Sequence, residues 1–218
     1  MTVMKMKLYY AETMNPRKAC AVAKYLNAPV EFVRVELLKG EHKRPEYLAK
    51  NPNGRVPTLE VSDDLSIWEA DAIMAYLARF AGSDLLPEGD RQVEVMRWLS
   101  WGAQHFTRHT GQHYFEYVIK PWAGGAFGPA NPAAAEEASK QWRPNAAVLD
   151  EHLSSRSYLV GDRLTIADFS VAVTLPYAKK AKIPLDEFPN IVRWHDRPNE
   201  LPAWREPFPA PVPDALAA

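Results

Sequence analysis

Every strand signal in this 218-residue chain falls before residue 69, and everything after it reads as helix or loop. The chain must therefore join a small sheet-bearing unit to a helical one. Lys5 to Tyr10 (KMKLYY) reads as a short strand. Asn15-Pro16 marks a helix start, with Asn as N-cap and Pro at the first helical position, and the helix runs to about Leu26. Val30 to Leu37 (VEFVRVEL) alternates apolar and polar residues and closes a βαβ unit with two parallel strands. Thr58 to Val61 and Leu65 to Trp68, joined by a Ser-Asp-Asp turn, form an antiparallel hairpin that leads into a helix through AIMAYLARF. Gly82 to Asp90 (GSDLLPEGD) reads as a linker, dividing the chain into units 1–81 and 91–218.

In the second unit, Arg91 to about Ile119 reads as one long helix of roughly 40 Å, with Gly102 and Gly111 as places to bend. Lys120 to Pro132 is a long Gly/Pro loop, and helices follow at about Ala133 to Ser154 and Ile166 to Lys180. Leu201 to Ala218 holds five of the 19 prolines and reads as an extended surface tail.

With 47% apolar residues, seven Trp and eight Phe, the chain has ample material for a core. Its 26 basic and 27 acidic residues show no basic run, which argues against nucleic acid and membrane surfaces as partners. The N-terminus lacks an apolar signal core and no segment approaches a membrane span, so the cytoplasm is the expected compartment. A single cysteine, Cys20, excludes an internal disulfide, a CxxC redox pair and a cysteine-based zinc site. It lies about a turn and a half inside the first helix, beyond the amides that would lower its pKa, and reads as a buried, inert thiol.

Asn51 to Leu59 (NPNGRVPTL) carries the most information. Asn-Pro-Asn-Gly is a turn signal, and Pro57 either opens a strand in the ordinary trans form or follows a cis peptide bond. A cis bond would turn the Val56 amide and carbonyl outward, ready to pair with a bound peptide. Together with IWEADAIMAYLA (Ile67 to Ala78), this segment resembles the paired signature of cytosolic glutathione transferases. GDRLTIADFSVAV (Gly161 to Val173) is similar to that family's capping-box motif, with Thr165 as N-cap and Asp168 three residues on, a structural pair. Gly40 to Pro57 looks like the phi class, and AETMN (Ala11 to Asn15) also looks like the Thr-x-Asn pattern of the bacterial nu class. The resemblance implies an N-terminal thioredoxin-like α/β domain holding glutathione, an all-α C-terminal helical domain, and a homodimer.

Site residues then follow from the family pattern. His42 and Lys43 match a pair facing the glycyl carboxylate, and Arg55 a side chain that assists them. Val56, before Pro57, matches the backbone that pairs with the cysteinyl unit, and Glu69 the acid that takes the γ-glutamyl ammonium. Ala70 stands where the family usually has Ser, which removes a hydroxyl donor and leaves a helix N-terminal amide, a loss of about 1 kcal/mol.

Catalysis requires a thiolate, and lowering a thiol pKa from about 8.5 by two units takes about 2.7 kcal/mol. A helix N-terminus supplies at best about 2, so a hydrogen bond worth roughly 1.5 to 3 kcal/mol must be added. Thr13 is the first candidate donor, with Asn15 assisting, although Asn before Pro is also what plain N-capping predicts. His105, His109 and His113 share one helix face, but the outer two lie about 12 Å apart, too far for one ion, so no metal is expected. Trp101, His105, Phe106 and His109 are candidate walls of an electrophile pocket, or else simple helix packing. The expected activity is conjugation of the glutathione thiolate to small hydrophobic electrophiles, with peroxide reduction or dehalogenation as variants. The alternative is a non-catalytic glutathione- or ligand-binding interaction module.

Overall fold

The computed structural model describes residues 5–210. Its single sheet is built from β1 (Met6–Tyr10), β2 (Val30–Arg34), β3 (Thr58–Ser62) and β4 (Leu65–Trp68), in the order β2-β1-β3-β4. β1 runs parallel to β2, as a crossover helix demands, and antiparallel to β3, which pairs antiparallel with β4. Along β1 the alternation buries Met6, Leu8 and Tyr10 and leaves Lys7 and Tyr9 on the opposite face. There the Tyr9 hydroxyl donates to Glu60 at 2.9 Å, and Tyr9 does not line the cleft described below.

Helix α1 (Met14–Tyr25) crosses between β1 and β2, a single turn α2 (Pro45–Leu48) follows, and α3 (Ala70–Phe80) closes the first unit. The start of α1 differs from the expected one: Thr13 is the N-cap, and Asn15 and Pro16 lie in the first turn. Proline is tolerated there because first-turn amides have no intrahelical partner. Cys20 is fully buried, and burial pushes its thiol pKa up.

From Asp90 onward the described chain is helix or loop. α4 (Asp90–Trp101), α5 (Thr107–Tyr114) and α6 (Lys120–Trp122) follow one path, but two π-helical turns, Gly102–Phe106 and Phe115–Ile119, interrupt the expected single helix. The first opens on a glycine for a reason of space, since a Cβ on Gly102 would lie 2.9 Å from Cγ2 of Val171. α7 (Pro132–His152) is capped by Asn131, whose side chain accepts from the Ala134 amide at 3.2 Å. α8 (Ile166–Val171) and α9 (Ala178–Ala181) are joined by a 3-10 segment, Ala172–Tyr177.

α10 (Pro189–Glu200) precedes the expected surface tail. Within that tail, from Leu201 on, the chain departs from expectation: α11 (Pro202–Arg205) is helical and Trp204 is fully buried. Arg17 on α1 donates to the Trp204 carbonyl at 2.5 Å, docking this segment against the first unit. Proline misleads here because Pro202 occupies a first helical position, where a missing amide costs nothing. Residues 211–218 of the expected tail lie outside the described residues.

One apolar core runs through both units and includes Leu8, Ile73, Leu77, Phe169 and Trp194. Asp168 is its polar keystone. Fully buried, it accepts from the Leu159 amide, the Thr165 amide and hydroxyl, and the Trp194 indole at 2.9 to 3.0 Å. The pair Thr165 and Asp168 thus starts α8, in agreement with its structural reading.

Candidate active site between the two units

A cavity of about 420 Å³ opens between the first turn of α1, the turn before β3, the start of α3, and the α4–α5 run. Its first wall is made by turn chemistry. Asn51 is almost fully buried, and its side-chain amide donates to the Arg55 carbonyl at 2.8 Å and to the Thr58 hydroxyl at 3.1 Å. Its oxygen accepts from the Asn53 amide at 3.0 Å, an Asx turn that folds the segment back on itself. The Tyr47 hydroxyl adds a bond to the same Arg55 carbonyl at 2.6 Å, and burial pushes its pKa up to about 12. The held turn presents Arg55 and Val56 to the cavity, and the Val56–Pro57 peptide is cis. Val56 precedes the paired part of β3, so its amide and carbonyl lie outside the sheet ladder.

Glu69 sits at the N-cap of α3 with φ 70° and ψ 119°. A non-glycine residue held there stores roughly 1–3 kcal/mol of backbone strain. Its carboxylate stands exposed at the mouth, with Ala70 and Asp71 behind it. Asp71 belongs to a buried cluster that sequence reasoning missed. Lys18 Nζ donates to Asp71 at 2.6 Å and to Ser170 Oγ at 2.9 Å, and Ser170 donates to the same Asp71 oxygen at 2.7 Å. The cluster ties α1, α3 and α8 together at the cavity wall. Asp71 directly follows Ala70, and Lys18 lies one turn beyond Asn15; those two offsets were the only signals in the sequence.

Of the two candidate donors to sulfur, Asn15 is exposed and lines the cavity, whereas Thr13 is half-buried and does not line it. His42 and Lys43 also stand outside the lining. Lys43 is committed to the turn, donating to the Gly54 carbonyl at 3.0 Å. Gly54 itself, at φ 55°, must lack a side chain, because a Cβ would lie 2.8 Å from Lys43 Nζ and 2.9 Å from the His42 carbonyl. Burial and the neighbouring Lys43 lower the His42 pKa, favouring a neutral ring.

The second wall comes from Ala103, Thr107, Arg108, Gly111 and Gln112. Trp101, His105, Phe106 and His109 belong to the same run but not to the lining. Phe106 is fully buried, stacked on Trp101 with centroids 5.9 Å apart and tilted against Trp142 at 5.5 Å. His105 is exposed, and His109 is half-buried with its pKa lowered by burial and by Arg108. His113 is buried, with one ring nitrogen 3.2 Å from the Ala181 carbonyl and the other 2.8 Å from Ser139 Oγ. Among the described residues no three His, Cys, Asp or Glu side chains cluster as a metal site would require. Among the described residues no helix is long and apolar enough to cross a membrane.

A thioredoxin-like unit whose cis-proline turn and acidic N-cap line one cavity with an all-helical unit defines the class: a two-domain protein of the thioredoxin-like plus helical fold. Residues 4–79 match the model of the glutathione S-transferase N-terminal domain, and residues 107–202 that of the C-terminal domain. The chain belongs to the glutathione S-transferase family. It is 34% identical to a probable glutathione S-transferase of Oryza sativa subsp. japonica, with 87% of this chain and 89% of the relative aligned. Glutathione S-transferase 3 of Zea mays is 31% identical, with 86% and 87% covered. Glutathione S-transferase-I, solved with the ligand lactoylglutathione, superposes with a TM-score of 0.83 at 28% identity, covering 93% of this chain and 98% of that one.

Proposed function

We propose that the chain conjugates the thiolate of glutathione to a small electrophile bound in this cavity. The observation that carries the reading is the convergence of three residues on one cleft: Val56, beside the cis peptide, Glu69 and Asn15. A solved relative, 28% identical, is bound with the ligand lactoylglutathione, which supports glutathione as the co-substrate. The cysteinyl unit pairs with the Val56 amide and carbonyl, and Glu69 takes the γ-glutamyl ammonium. The α-carboxylate meets the amide of Ala70 at the start of α3, without the hydroxyl of a serine. Arg55 is the cation for the glycyl carboxylate, with His42 and Lys43 behind it.

Asn15, rather than Thr13, donates to the sulfur, in the field of the α1 N-terminus. With an aryl chloride, the thiolate sulfur forms a bond to the chlorine-bearing carbon, the ring and its nitro groups take up the electron pair, and chloride leaves with it. Within the family the Gly40 to Pro57 segment favours a phi-like class; Thr13 and Asn15 match the nu-like pattern in residue type only, since Thr13 does not line the cavity. Trp68, Phe80, Val93 and Met96 are exposed apolar side chains and support a homodimer. The cytoplasm is the compartment that fits this chemistry.

The test is calorimetric titration with glutathione, followed by rates with chlorodinitrobenzene. Binding heat together with turnover is expected. Absence of heat sinks the reading, whereas tight binding without turnover favours a non-catalytic binding module, the alternative suggested by Ala70.

A further inference from the structure

The cavity lining contains no aromatic side chain; its largest apolar members are Met14, Val56 and Pro57. A pocket built for a purely apolar aryl substrate is lined mainly by hydrophobic and aromatic groups. The charged groups that line this cavity are three cations and two acids, and four of the five already have an occupation. Lys18 and Asp71 are bonded to each other at 2.6 Å. Under the reading above, Arg55 and Glu69 meet the two ends of glutathione. Arg108 remains. It is exposed on the first turn of α5, and among the described residues it enters no ion pair and donates no side-chain hydrogen bond. One turn further on, Gln112 also lines the cavity, and its amide donates to Glu116 at 2.9 Å. It carries no charge, so among the described residues Arg108 is the one cation of this wall.

Resting on the conjugation reading, we propose that the preferred electrophile carries a carboxylate and that Arg108 is its counterion. Arg108 is thus a specificity-determining residue on the helical wall. A guanidinium presents paired donors that match the two carboxylate oxygens. Thr107, Ala103 and Gly111 are the small residues of the lining on the same wall. The chemistry at sulfur is unchanged: one C–S bond forms, the C–Cl bond breaks, and chloride leaves with the electron pair, while the carboxylate keeps its charge throughout.

The experiment compares two aryl chlorides that differ only in charge, a chlorodinitrobenzoate and its methyl ester, in the full-length wild type, Arg108→Gln and Arg108→Lys. The acid-to-ester ratio of kcat/KM is expected to fall about tenfold in Arg108→Gln, mostly through KM for the acid, and to be partly restored in Arg108→Lys. Raising the salt concentration should shrink the wild-type preference, as for any partly exposed ion pair. An unchanged acid-to-ester ratio in Arg108→Gln overturns the inference. So does a rise in the glutathione Kd with no change in that ratio, which would assign Arg108 to the peptide. Turnover of neither compound by a wild type that binds glutathione removes the conjugation reading itself, and the inference with it.

Discussion

The two walls of the cavity are built by different means. The wall from the first unit is made of backbone features: an Asx turn closed by Asn51, a cis peptide before Pro57, and a left-handed N-cap at Glu69. The wall from the second unit is made of side chains at small and polar positions of a helical run: Ala103, Thr107, Arg108, Gly111 and Gln112. The first kind of wall holds its backbone in one geometry and tolerates little change; under the proposed function it is the wall that pairs with glutathione. The second sets only which surface the other reactant meets. Binding of the shared co-substrate and choice of electrophile should therefore be separable by mutation.

The largest expected effect breaks the helical wall alone. Gly102→Val drives two methyl groups toward the fully buried Val171 and should cost about 3 kcal/mol by overpacking. A lower urea midpoint and reduced turnover, with a nearly unchanged glutathione Kd in the protein that remains folded, would sustain the separation. A Kd that rises in step with the loss of stability would break it.

Acid should act on the contact that joins the two units. His195, buried behind Trp204 and near Arg17, has its pKa pulled down to about 4 by burial and by the Arg17 charge. The unfolded imidazole titrates near 6.5, so the unfolded chain binds the extra proton between those values. Stability from this group is complete above pH 6.5 and is lost as the pH falls toward 4, by about 3 kcal/mol at most. Urea titrations across that window should show the loss in the wild type, and most of it should vanish in His195→Gln.

Two changes sharpen the picture of the first wall. Asn15→Ala should remove a hydrogen bond to the bound sulfur worth about 2 kcal/mol, lowering kcat roughly 30-fold and raising the pKa of bound glutathione. Thiolate absorbance against pH reads this directly, and Thr13→Ala should move it less. Ala70→Ser should restore a donor at the start of α3 and tighten glutathione by about 1 kcal/mol, close to fivefold in Kd by calorimetry. A Kd unmoved in Ala70→Ser would place the γ-glutamyl carboxylate elsewhere.

The difference between the walls also explains what the sequence disclosed. Turn chemistry leaves a local trace: Asn-Pro-Asn-Gly, Pro57 before a strand and Glu69 before a helix each mark their own geometry, so the βαβ-ββα unit was legible, and Arg55, Val56 and Glu69, which the structure brings to the cavity lining, could be named as candidates. Periodicity on a helix marks the core face instead. The aromatics Trp101 and Phe106 drew attention as pocket residues, yet they pack among Trp98, Trp142 and each other. The cavity was left to Ala103, Thr107 and Gly111, residues that carry no signal alone. Lys18 and Asp71, 53 positions apart in the chain, come together only through tertiary folding. The C-terminal helices were hidden because proline punctuates a chain in the same way whether it ends an element or begins one.

Cys20 is the only thiol in the chain and is wholly enclosed within the helix that presents Asn15. A thiol-reactive dye can therefore label only those molecules in which that helix has come loose. The rate of labelling is a built-in clock for opening at the glutathione end of the molecule, readable without any engineered probe, and it should slow as the tripeptide saturates the cleft.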